Sequence, residues 1–284
     1  MPCIVPKPDL PMLLPWLKAA LPASFKIYQD LHNYLNGKWP GLKFIVDQWP
    51  EPKAVLEMLD SNASEKAQCE DYLKRLIVAL YADDSQALCE LLQDPEVVDW
   101  STRKTVCAVS NRLLDTVAEV CSKHGQCTSV SCYLLMAKPD VTAPLPVPDG
   151  MKLLPVDSEM ADVVARTWKF NRPESAELIK AYVKTFPSLA LVTNTGRHVG
   201  HMVGDSTNCM GMLYIQPEFR RRGFAKIIIS NLAQLYFQHG ANAYVIIERP
   251  DIPSLKLHTS IGFQIVSDIM LEFVLCHPRN SILS

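Results

Sequence analysis

The chain has 284 residues, more than most single domains contain, so its length favours two domains or one large one. A hydrophobic fraction of 48% with 20% charged residues is typical of a globular protein and excludes a largely disordered one. Twenty-eight Lys and Arg against 30 Asp and Glu give a formal net charge of −2, which argues against a nucleic-acid-binding protein. Apolar stretches fall short of the roughly 20 residues that a membrane span needs, so no span is predicted.

The first 25 residues are apolar enough to resemble a targeting segment. Five prolines precede Trp16, however, and Asp9 lies where a signal peptide has an uncharged core. A mitochondrial presequence is usually rich in arginine, whereas the first arginine here is Arg75. We therefore expect no removable targeting segment.

The cysteines are scattered through the chain without a Cys-x-x-Cys pair, and their number, nine, is odd. A disulfide framework usually has an even number at close spacing, so we expect mostly reduced thiols in an intracellular protein. The cluster Cys121, Cys127 and Cys132 does not have the spacing of a zinc site. No metal is predicted.

Hydrophobic patterning predicts a mixed α/β domain over residues 1–138. The predicted helices of this half cover residues 24–35, 55–59, 84–93 and 103–124, the last ending at Gly125. The predicted strands cover residues 42–49, 72–82 and 129–137. Prolines 139, 144, 146 and 148 then indicate an extended linker over residues 139–150, because each proline removes a donor and restrains the residue before it.

Residues 151–284 are predicted to form a second domain with the order β-α-α-β-β-β-α-β-α-β, so the fold class is α/β with a mixed sheet. The predicted strands cover residues 151–156, 188–194, 198–205, 208–216, 243–248 and 263–276. The predicted helices cover residues 158–168, 173–186, 224–240 and 253–261. Ser158 is expected to cap the first of these helices, and Gly262 to end the last.

The clearest chemical signal lies between Cys209 and Phe263. A strand ends at Ile215, and after a turn the sequence Arg-Arg-Arg-Gly-Phe-Ala, residues 220–225, opens a long apolar helix. The first N–H groups of a helix lack internal acceptors and lie at the positive end of its dipole, so they bind phosphate. A glycine lets the backbone approach the anion, and arginines add positive charge. The predicted cofactor-binding residues are Tyr214, Ile215, Arg220, Arg221, Arg222, Gly223, Phe224, Ala225 and Lys226.

The segment has neither a Walker lysine-serine pair nor a GxGxxG sequence, so ATP and dinucleotides are poor candidates. The R-x-x-G-x-A motif is preceded by Tyr-Ile-x-Pro-Glu-Phe and followed by a helix that carries His258 and ends at Gly262-Phe263. Together these elements resemble the acyl-CoA-binding core of the GNAT N-acyltransferase superfamily.

A narrower resemblance covers nearly the whole chain. It rests on Trp49-Pro-Glu-Pro-Lys-Ala-Val55, Arg166-Thr-Trp168, Phe186-Pro-Ser188 and the run from Leu213 to Phe224. These segments are similar to the glycine N-acyltransferase family. The resemblance implies an N-terminal domain packed against a C-terminal GNAT domain, acyl transfer from acyl-CoA to the amine of glycine or a similar small amino acid, and a mitochondrial setting, with the cytoplasm as the alternative.

The resemblance also implies roles for individual residues. The pantetheine of CoA is expected to add like an extra strand beside residues 210–215, with the N–H of Ile215 polarising the thioester carbonyl. His258 stands where many GNAT proteins have a tyrosine that serves the departing sulfur, and a histidine can donate the same hydrogen bond. The amine must lose a proton before it attacks, so a base is also required.

The base departs from the family pattern. Glycine N-acyltransferases have a glutamate eleven residues before the motif arginine, and here that position is Cys209. Asp205, His201 and Glu248 are the available substitutes. The candidate catalytic residues are therefore His258, Asp205 and Cys209. His198 and His201 lie three residues apart on a predicted strand, so they are expected to face opposite sides.

Two alternatives stay open. An N-acetyltransferase for another amine, such as a protein or a polyamine, would use the same CoA core with an acidic acceptor groove. A catalytically weak acyl-CoA sensor is favoured by the missing glutamate.

Overall fold

The computed structural model describes residues 1–67 and 69–279. It contains two compact units: the first comprises residues 1–132 with the chain from residue 268 onward, and the second is Tyr133–Ser267. The predicted domains, 1–138 and 151–284, have other boundaries, because the chain returns to the first unit at its end. Among the described residues, no helix is long and apolar enough to cross a membrane.

The first unit contains both helices and strands. Its helices are α1 (Leu13–Ala19), α2 (Phe25–Leu35), α3 (Glu70–Leu73), α4 (Ser85–Gln93) and α5 (Leu114–His124). Its strands are β1 (Cys3–Ile4), β2 (Leu42–Val46), β3 (Ala54–Leu59), β4 (Leu76–Ile77), β5 (Ala79–Ala82) and β6 (Lys104–Ser110), followed by β7 (Gly125–Ala137), which continues into the second unit.

The second unit holds the segment with the chemical signal. Its strands are β8 (Met151–Leu154), β9 (Ser188–Thr193), β10 (His198–Gly204), β11 (Met210–Ile215) and β12 (Ala243–Glu248), and β13 (Gln264–Pro278) leads back to the first unit. Its helices are α6 (Ala161–Thr167), α7 (Ser175–Thr185), α8 (Phe224–Gln238) and α9 (Ile252–Thr259).

In the first unit, β1, β2, β3 and β5 form an antiparallel sheet in that order. In a second sheet, β6 lies between β4, which is parallel to it, and β13, which is antiparallel. The side chain of Asp84 caps α4 by accepting from the N–H groups of Gln86 and Ala87, and α4 buries Leu88, Leu91 and Leu92 in the core of this unit.

Two sequence predictions for this unit are wrong. Residues 55–59, predicted as a helical turn, belong to β3, and residues 104–110 of the helix predicted over 103–124 form β6. Both segments are buried on both faces, and a short run of this kind cannot be distinguished from a buried helix by periodicity. The helix over the remainder, α5, does end at Gly125 as predicted.

In the second unit, β8, β9, β10 and β11 form an antiparallel sheet with β11 at one end. One face packs on α8, whose Ile228 and Leu232 share a core with Met202 of β10. The other face packs on α6 and α7, whose Val164 and Ile179 share a core with Val203. Successive strand residues point to opposite faces, so β10 contributes to both cores.

The start of this unit differs in two details from the sequence prediction. Ser158 does not cap α6: the helix begins after Met160, whose N–H donates to Asp157 Oδ1 at 2.9 Å. The proline-rich linker is held along α8. Leu145 N–H donates to Ser230 Oγ at 3.0 Å, and Gln234 Nε2 donates to the carbonyl of Thr142 at 2.7 Å.

Candidate functional site

The strand β11 offers an unpaired edge for a ligand. Its inner edge pairs with β10, and no described strand of its sheet lies beyond it. The pairs His201↔Tyr214 and Val203↔Gly211 leave two residues of β11, Met212 and Leu213, opposite one residue of β10. This β-bulge bends the strand and places Met212 at a positive φ of 55°.

β11 and β12 approach each other at one point and then separate. A parallel bridge joins Cys209, just before β11, to Tyr244 of β12, and the two strands then belong to different sheets. The N–H of Gln216 donates to Val199 on the inner side at 2.9 Å. Because backbone groups alternate sides along a strand, the N–H of Ile215 points to the open edge. This direction is the one that the predicted oxyanion donor requires.

The end of β11 leads into the predicted phosphate site. A 3₁₀ turn, Pro217–Phe219, precedes the three arginines, and Gly223 precedes α8 with φ of 81°. Arg221 also has a positive φ, 61°, so the chain turns sharply just before the helix. A Cβ added at position 223 would meet open space, so crowding by neighbouring atoms does not explain the glycine. The positive φ of the backbone and the room left for a ligand explain it instead. The N–H groups of the first turn of α8, which includes Ala225, lie at the positive end of its dipole, and that of Lys226 donates to the carbonyl of Gly223 at 3.0 Å.

The three arginines are exposed at this turn. Arg220 is fixed to the open edge, because its Nε donates to the carbonyl of Ile215 at 2.9 Å and its guanidinium lies 5.6 Å from the ring of Tyr214. The guanidinium of Arg222 lies 5.9 Å from the ring of Phe219. Positive charge and the N-terminal end of a helix therefore meet beside the open strand, an arrangement suited to an extended ligand with a phosphate end.

His258 is buried on α9. Its Nδ1 lies 2.9 Å from the carbonyl oxygen of Ser254, which can only accept, so Nδ1 carries a proton. In the neutral ring Nε2 is then an acceptor, and it is buried without a hydrogen-bond partner among the described residues. Burial lowers the pKa of His258 and favours this neutral form. Donation to a leaving thiolate, the predicted role, requires a second proton on the ring.

Asp205 organises the turn between β10 and β11. Its Oδ1 accepts from the N–H of Thr207 at 2.9 Å, from the hydroxyl of Thr207 at 2.5 Å and from the N–H of Cys209 at 3.1 Å. The side chain of Cys209 is buried at the bridge to β12. A carboxylate that accepts several hydrogen bonds is a weak base, so Asp205 is better suited to holding the turn.

Glu248 ends β12 in an ion pair with Lys169 from the loop between α6 and α7. Lys169 Nζ lies 2.8 Å from Glu248 Oε1, and the same ammonium lies 4.8 Å from the ring of Phe170. The pair links this loop to the end of β12.

The prediction that His198 and His201 face opposite sides is wrong. A register shift between His198 and Gly200 in the pairing of β10 with β9 inserts one extra residue, Val199. The bulge resets the alternation, so both imidazoles lie on one side with their centroids 5.2 Å apart and His201 Nδ1 3.1 Å from His198 Nε2. No pattern in the sequence locates a bulge, so spacing alone could not find this pair. Among the described residues, no three His, Cys, Asp or Glu side chains form a metal-binding group.

Comparison with known proteins places these features in a family. Residues 1–187 match the family described as Aralkyl acyl-CoA:amino acid N-acyltransferase, and residues 189–270 match the family described as FR47-like protein. A relative, the Bos taurus glycine N-acyltransferase, is 27% identical over 255 residues, covering 83% of this chain and 85% of the relative.

Solved structures show the same fold. A Drosophila protein superposes with a TM-score of 0.82 at 15% identity, covering 98% of each chain. A GCN5-related N-acetyltransferase from Sphaerobacter thermophilus superposes with a TM-score of 0.59 at 15% identity, covering 98% of this chain and 96% of that one. The α/β, GNAT-like fold expected from the sequence is therefore confirmed.

Proposed function

Since the chain belongs to the aralkyl acyl-CoA:amino acid N-acyltransferase family, we propose that it transfers an acyl group from acyl-CoA to the amine of glycine or a similar small amino acid. The observation that carries this proposal is the open edge of β11 leading directly into the arginine-rich start of α8. It provides an extended backbone surface and a phosphate-binding helix end in one continuous segment.

The CoA moiety binds along this segment. Its pyrophosphate lies at the N–H groups of residues 221–226, which include Phe224 and Lys226, with charge supplied by Arg220, Arg221 and Arg222. The pantetheine adds to the outer edge of β11 as an extra strand. The outward N–H of Ile215 then stabilises the oxyanion that forms on the thioester carbonyl.

Transfer proceeds by direct attack, without an acyl-enzyme. A positioned amine needs only deprotonation and proximity to attack the thioester carbon. Nitrogen bonds to that carbon, the carbon–sulfur bond breaks, and the sulfur leaves as the thiolate of CoA. His258 serves this thiolate when its ring carries the second proton.

A catalytically weak acyl-CoA sensor is the second candidate, because one observation favours it. Cys209, at the glutamate position of the family, is buried and engaged in the turn with Asp205. A thiol of ordinary pKa is a poor substitute for a carboxylate base. A sensor would bind CoA and release no acylated product.

The deciding experiment mixes the purified chain with acetyl-CoA or benzoyl-CoA and a panel of amino acids, and follows free CoA thiol. Thiol release that depends on glycine supports the enzyme. Binding of CoA by calorimetry with no release for any acceptor would contradict it and favour the sensor.

A mitochondrial setting rests on the family resemblance alone. Imaging of the full chain tagged at its C terminus tests it, and exclusion from mitochondria would overturn it in favour of the cytoplasm.

A further inference from the structure

A column of stacked side chains lies on the face of the sheet that packs on α6 and α7. The guanidinium of Arg220 lies over the ring of Tyr214, and the Tyr214 ring stacks on His201 with centroids 5.8 Å apart. His201 in turn stacks on His198 at 5.2 Å. The column therefore begins at the open edge of β11 and runs inward from it.

The two imidazoles are linked by hydrogen bonds as well as by stacking. His201 Nδ1 lies 3.1 Å from His198 Nε2, so these two nitrogens share one proton. His201 Nε2 lies 3.4 Å from Thr167 Oγ1, and His198 Nδ1 lies 3.4 Å from Gln216 Nε2. Each ring thus has one nitrogen that serves the other ring and one that faces a neutral polar group.

The two histidines differ in their access to solvent. His201 is fully buried, and burial together with its neighbour His198 lowers its pKa to about 3, so it stays neutral. His198 is half-buried at the start of β10, and burial lowers its pKa as well. A proton taken up by the pair therefore resides on His198. Charged groups on adjoining segments include Arg220, whose guanidinium lies over the Tyr214 ring, and the exposed ion pair of Arg197 with Glu218.

The other candidate bases are carboxylates, and each has a structural contact. Asp205 accepts three hydrogen bonds in its turn, and Glu248 pairs with Lys169. The histidine pair, by contrast, is uncharged, and His201 is the cross-strand partner of Tyr214, which directly precedes Ile215. The pair therefore lies on the strand next to β11, one strand inward from the edge that receives the thioester in the proposed function.

Building on that proposed function, we propose that His198 is the base that accepts a proton from the ammonium group of the acceptor amino acid, and that His201 is a positioning residue that holds the His198 ring. The neutral amine then attacks the thioester carbon. The second proton lost by nitrogen goes to the departing sulfur, giving free CoA thiol, and His198 releases its proton to solvent. The amide product and the thiol account for every atom of the two substrates.

The test compares His198→Gln and His201→Gln with the matched control His239→Gln, which changes an exposed histidine at the end of α8. Thiol release with glycine and benzoyl-CoA is measured from pH 6 to about 10.5. A general base contributes about 10²–10⁴-fold, so His198→Gln should lower kcat about 100-fold near neutral pH with an unchanged KM for benzoyl-CoA. That loss should shrink above the pKa of the amine of glycine, because the amine then arrives deprotonated. His201→Gln should lower kcat by a smaller factor and displace the acidic limb of the pH profile of kcat.

Equal rates for His198→Gln and the parent, or a loss of the same size at every pH, would overturn the proposal while leaving the acyltransferase function intact. If the parent itself releases no thiol while binding CoA, both proposals fail. If His201→Gln does not fold, His198→Gln alone tests the proposal. The ring of His198 is half-buried, and the pH profile of the variant distinguishes a base from a structural residue.

Discussion

The two compact units bury polar side chains in different ways. The first unit encloses a charged cluster, in which Lys26 Nζ lies 2.6 Å from Asp30 Oδ2 and Glu57 is fully buried. The second unit encloses an uncharged pair, His198 and His201, at the inner side of an open sheet edge. The first cluster lies in a closed core, whereas the second adjoins the candidate site.

The pKa shifts in the charged cluster and in the histidine pair have opposite directions. In the first unit burial opposes the charge of Lys26, but Asp30 and Glu57 outweigh it and raise its pKa, and burial with Asp30 raises the pKa of Glu57. Groups with a raised pKa stabilise the fold at low pH and lose that stabilisation as pH rises through the raised value. His201, whose pKa is lowered, instead stabilises the fold at higher pH and loses that stabilisation as pH falls. We infer that the charged cluster is structural and that the histidine pair is the one that can change protonation at moderate cost.

The largest effect should come from breaking the charged cluster. Lys26→Met leaves Asp30 buried without its cation, and removing one partner of a buried pair costs about 3–5 kcal/mol. Chemical denaturation measures the free energy of unfolding. Lys180→Met, which removes an exposed partner of Glu177, is the control and should change it by less than about 1 kcal/mol. A similarly small change in the free energy of unfolding of both variants would contradict a structural role for the charged cluster.

The next effect is the acid response of the histidine pair. His201 has a pKa of about 3 in the folded chain against 6.5 ordinarily, so its stabilising contribution is complete above pH 6.5 and is lost as pH falls toward 3. At about 1.4 kcal/mol per pH unit, the full loss amounts to about 5 kcal/mol. Unfolding free energies measured across this range should fall less steeply for His201→Gln. Parallel curves for parent and variant would show that His201 does not carry the acid sensitivity.

A change at the ligand segment should weaken CoA binding as well as strain the backbone, because valine rarely adopts the positive φ of Gly223. Gly223→Val adds a branched side chain where the proposed pyrophosphate lies, and CoA affinity by calorimetry should fall at least about tenfold. Gly196→Val is the matched control, because Gly196 has φ of 82° against 81° for Gly223 and also has open space around its Cβ position. Equal CoA affinity in the two variants would refute the phosphate site.

The smallest expected effect concerns the glutamate position. Cys209→Glu should raise the rate with glycine about fivefold, a small part of the roughly 10²–10⁴-fold of a well-placed base, because Cys209 is buried and a second base already serves the amine. Cys209→Gln introduces a side chain of nearly the same shape as glutamate but without its charge, so it should leave the rate with glycine unchanged. A rise in both variants would attribute the effect to shape.

The sequence predicts the second unit well where local signals are strong. The apolar helix after the R-x-x-G-x-A motif, the glycine before it and the strand ending at Ile215 all appear as expected. Each is specified by residues next to it in the chain. The roles assigned to His258, Asp205 and Cys209 stay predictions, although their surroundings favour a turn-forming Asp205.

The remaining features depend on distant contacts. The bulge at Val199 that brings His198 and His201 together arises from pairing with β9, and the burial of Lys26, Asp30 and Glu57 arises from packing of α2 and β3. Charged residues are usually exposed, so composition alone assigns them to the surface. Such features become visible only in the folded chain.

In the proposed function, the open edge of β11 and the start of α8 deliver an acyl group to a small amino acid. Mass spectrometry of the mixture of purified protein, benzoyl-CoA and glycine tests this most directly. We expect N-benzoylglycine in a one-to-one ratio with released CoA thiol, dependent on both substrates. Bound CoA with no acylated glycine, or thiol release that is independent of glycine, would contradict it.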